Sequence, residues 1–355
     1  QVSPDKVLAR GDTKSSILYT RNLQVDLRVV PAESFGAALQ YFTGSKDHNV
    51  VLRTRCEKQG WKLNEYGLFD SQGGRLAGAT EEEVYRAMGL PWIPPELRET
   101  GSEIELALRG ALPSLVELGD LRGNLHAHTT WSDGQNSVEE MARAAAERGL
   151  EYLAITDHSP HVGVANGLNV ERLMLLRQEI ERVNRLGLGV TLLWGTEVDI
   201  LPDGGLDYPD DVLEQLDVVV ASVHSGLQMA PDEMTRRVLR ALENPHVDIL
   251  GHPSGRLLGR RPGYEMDWEE LFKAAARTRT ALEINGYPNR LDLKDAHARR
   301  AGDLGAMLAI GADAHAADHL DYLELGVGVA RRAWLTAGQV LNTRKLSELR
   351  AGLAR

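Results

Sequence analysis

From residue 121 onward the chain repeats one pattern seven times: a short apolar run, then a more polar stretch of mostly helical spacing. The runs are RGNLHAH, EYLAITDH, VTLLWGTEVD, LDVVVASVH, VDILGHP, TALEINGY and GAMLAIGADAH, and helix-like stretches occupy 137–148, 170–186, 231–243 and 267–278. Repeated strand–helix units predict parallel strands buried by helices, arranged either as a barrel or as an open doubly wound sheet. Neither G-x-G-x-x-G nor a P-loop follows the first run, which weakens dinucleotide and nucleoside-triphosphate binding as readings.

The ends of the runs carry the chemistry. Six of the seven end in His, Asp or Glu: His126 with His128, then His158, Glu197, His224, His252, and Asp313 with His315; Asp133 sits in the loop after the first. Six of the eleven histidines fall at these ends, while His48, His161, His246, His297 and His319 lie elsewhere. Any one of them has a duller reading, such as a hydrogen-bonded strand-end His, a turn at TDHS, or Glu197 as the partner of an Arg. The conjunction decides, because the C-terminal strand ends of a parallel β/α barrel converge on one face. In His-x-His both rings point to the same side of a strand. Six imidazoles and three carboxylates exceed what one four- to six-coordinate ion needs, so two or three divalent cations with a bridging carboxylate are expected.

Composition narrows the chemistry. The single Cys56 excludes an intramolecular disulfide framework and a cysteine-based zinc knuckle, leaving His, Asp and Glu as ligands. At 355 residues, 43% hydrophobic, the chain has room for two domains. A net charge of −11 argues against a uniformly basic nucleic-acid binder, although the first 60 residues hold nine Lys and Arg against six Asp and Glu. With no apolar run of about 18 residues and no basic leader, neither a membrane partner nor secretion is expected, and the cytoplasm is the default location. The sequence starts at Gln1 without a start methionine and is expected to be a piece of a longer chain.

Before residue 121 the pattern differs. Residues 16–30 alternate as a strand pair with Asp26 on the face opposite Val25 and Leu27. One helix is expected to end near Gly60, and a short one to be capped by Thr80. The three prolines of LPWIPPELRETGSE mark a boundary. The expected division is 1–95, a linker over 96–120, and 121–355.

HAHTTWSDG, TDHS, GTEVDI, SVHS, GHP and DAH, in that order, resemble the motif set of the polymerase and histidinol phosphatase (PHP) domain over residues 121 to about 345. The resemblance implies an α/β fold, a distorted (β/α)7 barrel with a trinuclear Mn or Zn centre bound by the nine residues above, and phosphoester hydrolysis. DLRVV, YFTGSKDHN and LNEY resemble the end of the palm and the thumb of family X DNA polymerases, a small α+β segment, and polymerase followed by PHP is the bacterial arrangement. On that resemblance Asp26 matches the third catalytic carboxylate of the palm, and Tyr41, Phe42, Gly44 and Asn49 line the incoming nucleotide. It implies Mg at the polymerase site of the complete protein, with DNA primer ends, gapped duplex and dNTP as partners of a monomer.

The family places a Gly-Ser motif and two further carboxylates upstream of Asp26, and neither that motif nor a matching carboxylate pair is found in the 25 residues before it. The activity expected of this chain is therefore a 3′-5′ exonuclease within a repair polymerase, not nucleotidyl transfer. The alternatives are a metal-binding scaffold and a small-molecule phosphatase of the histidinol phosphate type. Arg256 and Arg260, just after His252, are expected to clamp a phosphate. Asp157 is expected to orient a ligand ring from behind, and Trp131 and Tyr287 to offer stacking surfaces.

Overall fold

The structure, a computed structural model, describes residues 5–20 and 23–353, which form two compact units divided between Leu112 and Pro113. In the first unit, β1 (Lys6–Arg10), β2 (Lys14–Tyr19) and β3 (Leu23–Arg28) make an antiparallel sheet in that order, with Asp26 opposite Ser16. All six residues of β3 are exposed, so alternation here sorts side chains between two open faces. Residues 21–22 of the expected strand pair lie outside the described residues.

Next come α1 (Phe35–Thr43) and α2 (Lys46–Glu57), followed by the antiparallel sheet of β4 (Lys62–Asn64), β5 (Gly67–Phe69) and β6 (Arg75–Ala77), and by α3 (Glu81–Ala87). The helix starts follow capping chemistry: Ser45 accepts from the His48 amide and Thr80 from that of Glu83. The stretch 96–120, expected as a linker, differs. It carries α4 (Ser102–Leu108), whose buried Glu103 accepts from His48 Nδ1 on α2 at 2.6 Å. Just before it, buried Arg98 forks onto Glu81 at 2.7 and 3.0 Å. Pro91, Pro94 and Pro95 break the regularity just ahead of this stretch, but Arg98 and Glu103 turn inward and tie residues 96–112 to the first unit, while 113–120 fall in the second.

In the second unit all seven apolar runs are strands: β7 (Gly123–Asn124), β8 (Tyr152–Ile155), β9 (Thr191–Asp199), β10 (Val218–Ser222), β11 (Ile249–Leu250), β12 (Ala281–Asn285) and β13 (Leu308–Gly311). They pair in sequence order, every pair parallel. The helices are α5 (Val138–Glu147), α6 (Val170–Asn184), α7 (Asp210–Leu213), α8 (Pro231–Leu242), α9 (Trp268–Thr278), α10 (Asp295–Asp303), α11 (Leu323–Arg332) and α12 (Leu346–Gly352). Sequence pattern left barrel and open sheet both standing, and the seam decides. Just past the first and last strands, Ala127 bridges Ala314 in parallel, His128 N donates to Ala314 O at 2.8 Å, and Ala312 N donates to Asn124 Oδ1 at 2.9 Å. The sheet is thereby nearly closed into a distorted barrel.

The interior rows place the site. Leu193, Ala281 and Ala309 belong to an apolar layer with Tyr152, Val218 and Val220. Side chains alternate along a strand, so Glu197 and Glu283, an even number of positions further on, fall in the same inward rows at the C-terminal end. Asp313, two residues past β13 with φ +49°, joins them from the turn that follows the strand. An apolar floor thus carries an acidic bowl. No helix among the described residues is long and apolar enough to cross a membrane.

Candidate metal centre

Glu197, at the end of β9, is the hub. Its Oε2 lies 3.4 Å from His126 Nε2, 3.5 Å from His128 Nε2 and 3.0 Å from His158 Nδ1; its Oε1 lies 2.9 Å from His252 Nε2 and 3.3 Å from His224 Nε2. Asp313 Oδ1 stands 3.2 Å from His128 Nε2 and 3.6 Å from both His126 Nε2 and His315 Nδ1. Asp133 completes the rim, 3.4 Å from His315 Nε2 and 3.7 Å from His158 Nε2. The structure therefore brings all nine predicted side chains together. Eight of the nine, all but His252, offer donor atoms that form three overlapping groups: His128, Asp133, His158 and His315; His126, His128 and Asp313; His158, Glu197 and His224.

The donor set fits divalent cations on an observation of its own. His126 Nε2, both ring nitrogens of His128, His252 Nδ1 and Asp313 Oδ1 are buried without a hydrogen-bond partner among the described residues. Leaving one such atom unpaired costs about 1–3 kcal/mol, so a cluster of them calls for a positive partner. The carboxylates carry the negative charge that such a partner meets. Burial pushes the Glu197 carboxyl upward, yet the charges of His158, His224 and His126 outweigh it and hold it well below the usual range. Asp313 behaves alike, with burial overcome by the charges of His126 and Arg290. Asp133 is held at about 2, burial being overcome by the neighbouring His315, His128 and His158. Burial, together with the charges of His315 and His158, takes His128 down to about 3, so that imidazole is neutral. At His126, His224 and His315 the neighbouring carboxylates outweigh burial, holding His126 well above the usual imidazole range and raising the other two to about 9, so a cation bound there displaces protons.

Behind this set stand residues that sequence reasoning missed. Glu283 Oε1 accepts from His126 Nδ1 at 2.7 Å, and its Oε2 accepts from the His252 amide at 2.7 Å and from Asn285 Nδ2 at 3.2 Å. Asp199 Oδ1 takes the His224 amide at 3.0 Å and lies 3.2 Å from His224 Nδ1. Asn285 Nδ2 also donates to Asp313 Oδ2 at 3.1 Å, and Arg290 Nε lies 3.3 Å from the same oxygen. The available signal was parity: Asp199 is two positions beyond Glu197, and Glu283 sits inside the one run whose end carries no ligand.

Three expectations are corrected. Asp157 orients no ring; it accepts from Thr129 N at 2.8 Å, from Thr129 Oγ1 at 2.6 Å and from the Ser132 hydroxyl, fixing the turn that presents Asp133. Arg256 does not line the cleft and turns its guanidinium to the carbonyls of Arg290, at 2.9 Å, and Leu291. Arg260 is exposed and lies outside the lining of the cleft at the cluster, where the guanidinium is that of Arg290. That open cleft, about 320 Å³, is lined by Asp133, Gln135, Leu257, Tyr287, Asn289, Arg290, Asp313, His315 and His319. Of the two stacking candidates Tyr287 lines it, whereas Trp131 packs on the core and donates to Glu179 at 2.7 Å.

In the first unit, Tyr41, Phe42, Gly44 and Asn49 come together around another open cleft with Ser45, Lys46 and Arg53. Tyr41 and Phe42 meet edge to face at 5.1 Å, and Arg28 lies 5.1 Å from the Phe42 ring centre. The Asn49 amide is engaged within the fold, donating to Tyr41 O at 2.8 Å and accepting from Gln40 at 2.6 Å. Gly44 has φ +75°, a left-handed conformation suited to glycine. Asp26 does not line this cleft; it is exposed on β3, its carboxyl held low by the Ser16 hydroxyl across the strand pair and by Gln24, which donates to it at 3.1 Å.

Comparison with known proteins follows these two units. Residues 38–99 match the family model of the DNA polymerase beta thumb, and residues 124–286 that of the PHP domain. The chain is 45% identical over 352 residues, 98% of its length, to a DNA polymerase/3′-5′ exonuclease PolX of Bacillus subtilis (strain 168), and it spans 61% of that protein. It is 33% identical over 230 residues to a probable phosphatase of Thermoanaerobacter sp. (strain X514), covering 61% of this chain and 89% of that protein. Among solved structures, a histidinol phosphate phosphatase from Lactococcus lactis, complexed with Zn, L-histidinol and phosphate, is 18% identical with a TM-score of 0.45, covering 60% of this chain and 93% of that one. With a polymerase beta thumb model and a PHP model matched in one chain, at 45% identity to a PolX protein, the chain belongs to the family X DNA polymerases that carry a PHP domain.

Proposed function

We propose that the second unit is a metal-dependent 3′-5′ exonuclease that removes nucleotides from DNA primer ends within a family X repair polymerase. The observation that carries this is the cluster of nine ligand-type side chains with Glu197 at its hub, opening on a cleft that contains Arg290. A relative named as both polymerase and 3′-5′ exonuclease supports it. Six imidazoles and three carboxylates without a thiolate suit Mn or Zn, and the overlap of the three groups suits two or three ions.

When bound, such cations supply Lewis acidity toward phosphoryl oxygens and an acidified water. The chain's own residues do the rest. Glu283 and Asp199 hold the His126 and His224 rings, Asp157 holds the turn bearing Asp133, and Arg290 offers its remaining N–H groups to a phosphate oxygen. In hydrolysis a water oxygen bonds to phosphorus, the P–O3′ bond breaks, and the 3′ oxygen of the shortened strand takes a proton. In the first unit, Tyr41, Phe42, Gly44 and Asn49 hold the incoming nucleotide of the complete polymerase, with Asp26 as one of its Mg-binding carboxylates.

The likeness to a probable phosphatase over 89% of its length favours a second reading, hydrolysis of small phosphomonoesters. The two separate on incubating the Mn²⁺-loaded chain with a 5′-labelled primer–template and with p-nitrophenyl phosphate. Stepwise shortening from the 3′ end supports the exonuclease, and cleavage of the small ester alone supports the phosphatase. Full activity in both His128→Ala and Asp313→Ala ends the assignment to this centre.

A further inference from the structure

We propose that the cleft beside the cation cluster is a nucleobase-binding subsite in which the base of the departing nucleotide stacks on Tyr287; this rests on the exonuclease reading and deepens it. The ligand chemistry is a nucleoside monophosphate, met either as the 3′-terminal residue of a strand or as a free nucleotide.

The lining of the cleft divides into two chemistries. Asp133, Asp313, His315 and Arg290 are what cations and a phosphate require. Tyr287, His319, Leu257, Gln135 and Asn289 are surplus to that need. Rings and an aliphatic side chain suit the faces of a flat heterocycle, and two carboxamides offer donors and acceptors to its edge. The volume, about 320 Å³, lies at the lower end of the ~300–1,000 Å³ range of small-molecule clefts.

Tyr287 is also fixed in place. Its amide donates to Asn285 Oδ1 at 2.9 Å, and Asn285 in turn donates to Asp313, so the ring's backbone is one side chain away from the cation cluster. The ring meets Tyr322 at 5.2 Å and His319 at 5.3 Å, both nearly perpendicular. At Gly286 an added Cβ would come within 2.2 Å of Tyr322 O, so a glycine lets the loop lie against that carbonyl. On the other side, Leu258 N donates to Asn289 O at 2.6 Å and Arg256 holds the carbonyls of Arg290 and Leu291. A loop anchored on both sides of Asn289 is preorganised, so little ordering is needed on binding.

Titration calorimetry of the Mn²⁺-loaded chain with dAMP and with 2-deoxyribose 5-phosphate reads the base alone. Stacking predicts dAMP binding roughly 5- to 150-fold more tightly. Tyr287→Ala removes that difference and Tyr287→Phe keeps most of it, with thermal unfolding curves checking that both variants fold. Equal affinities in the parent chain, or an undiminished difference in Tyr287→Ala, overturn the subsite. A second arm compares 5′-labelled strands ending in an ordinary nucleotide and in a tetrahydrofuran abasic residue. Faster removal of the ordinary end assigns the subsite to strand ends. Discrimination in the titration with no shortening of either strand assigns it to free nucleotides and sinks the exonuclease reading instead. Shortening without base discrimination in either assay leaves that reading intact and overturns the subsite.

Discussion

Replacing Glu283 by Gln tests how the centre is held. The carboxylate is buried and accepts from His126 Nδ1 at 2.7 Å, so that the proton a bound cation displaces is the one on His126 Nε2, which faces Glu197 and Asp313 at 3.4 and 3.6 Å. A glutamine of the same shape still accepts from the His252 amide through one oxygen, so packing survives. An amide NH₂ then faces His126 Nδ1, donor against donor, and favours the tautomer with its proton on Nε2, where a cation must sit. Partners of this kind behind a ligand typically alter metal affinity 10- to 100-fold, or about 1.4–2.7 kcal/mol. The assay is competition between the chain and a fluorescent chelator for Mn²⁺ or Zn²⁺, with thermal unfolding of the metal-free proteins in parallel. Affinity should drop by that factor while the metal-free midpoint moves little. Glu283→Gln binding within about two-fold of the parent would refute the orienting role, and a collapsed midpoint would show Glu283 to be a fold residue.

Gly311→Ala places a Cβ 2.1 Å from Glu283 Oε1, so it should displace that carboxylate, lower metal affinity as Glu283→Gln does, and cost about 1–3 kcal/mol of stability in urea unfolding. Arg290→Ala should raise KM for DNA roughly ten-fold or more with less change in kcat, and Arg290→Lys should recover only part of it; unchanged KM removes Arg290 from phosphate recognition. Arg256→Ala should weaken DNA hydrolysis through Arg290 while leaving metal affinity unchanged, measured by the same chelator competition. In the first unit, burial raises Glu81 and Glu103, but Arg98 and His48 respectively overcome it and hold both carboxyls below their ordinary values. Their stabilisation is therefore present above about pH 4.5 and lost as pH falls through the lowered values. Arg98→Ala strands buried Glu81 and should cost about 3–5 kcal/mol, seen as a lower-temperature unfolding transition.

What the sequence discloses depends on whether a residue's role is set by its position along a strand or by what lies across the fold. His126, Glu197 and Asp313 stand where apolar runs give way to polar tips, and a run end is a local feature that can be read. Glu283 has the same inward direction but lies within its run, so its sequence neighbours say nothing of the His126 ring it meets. Arg256 follows His252 as a phosphate clamp would, and only the fold shows its guanidinium turned to the Arg290 and Leu291 carbonyls. Likewise the prolines before α4 read as a linker, because the inward turn of Arg98 and Glu103 is a tertiary fact.

Closure of the barrel shows the same division and explains why it matters for the site. The pattern of runs fits an open sheet as well as a barrel, and what separates them is one bridge between Ala127 and Ala314, distant in sequence. Ala127 lies between His126 and His128, and Ala314 between Asp313 and His315. The hydrogen bonds of the seam run from the His128 amide to Ala314 O and from the Ala314 amide to His126 O, at 2.8 and 3.3 Å. The strands that close the barrel are thus the ones that carry four of the nine donors, and each of the four flanks a bridging residue. Cations that draw His126, His128, Asp313 and His315 together must also tighten this seam, so fold and centre are linked by mass action. Saturating Mn²⁺ should therefore raise the unfolding midpoint of the parent chain, and should do so less in Asp313→Ala. An equal rise in both would place the stabilising ions away from the seam.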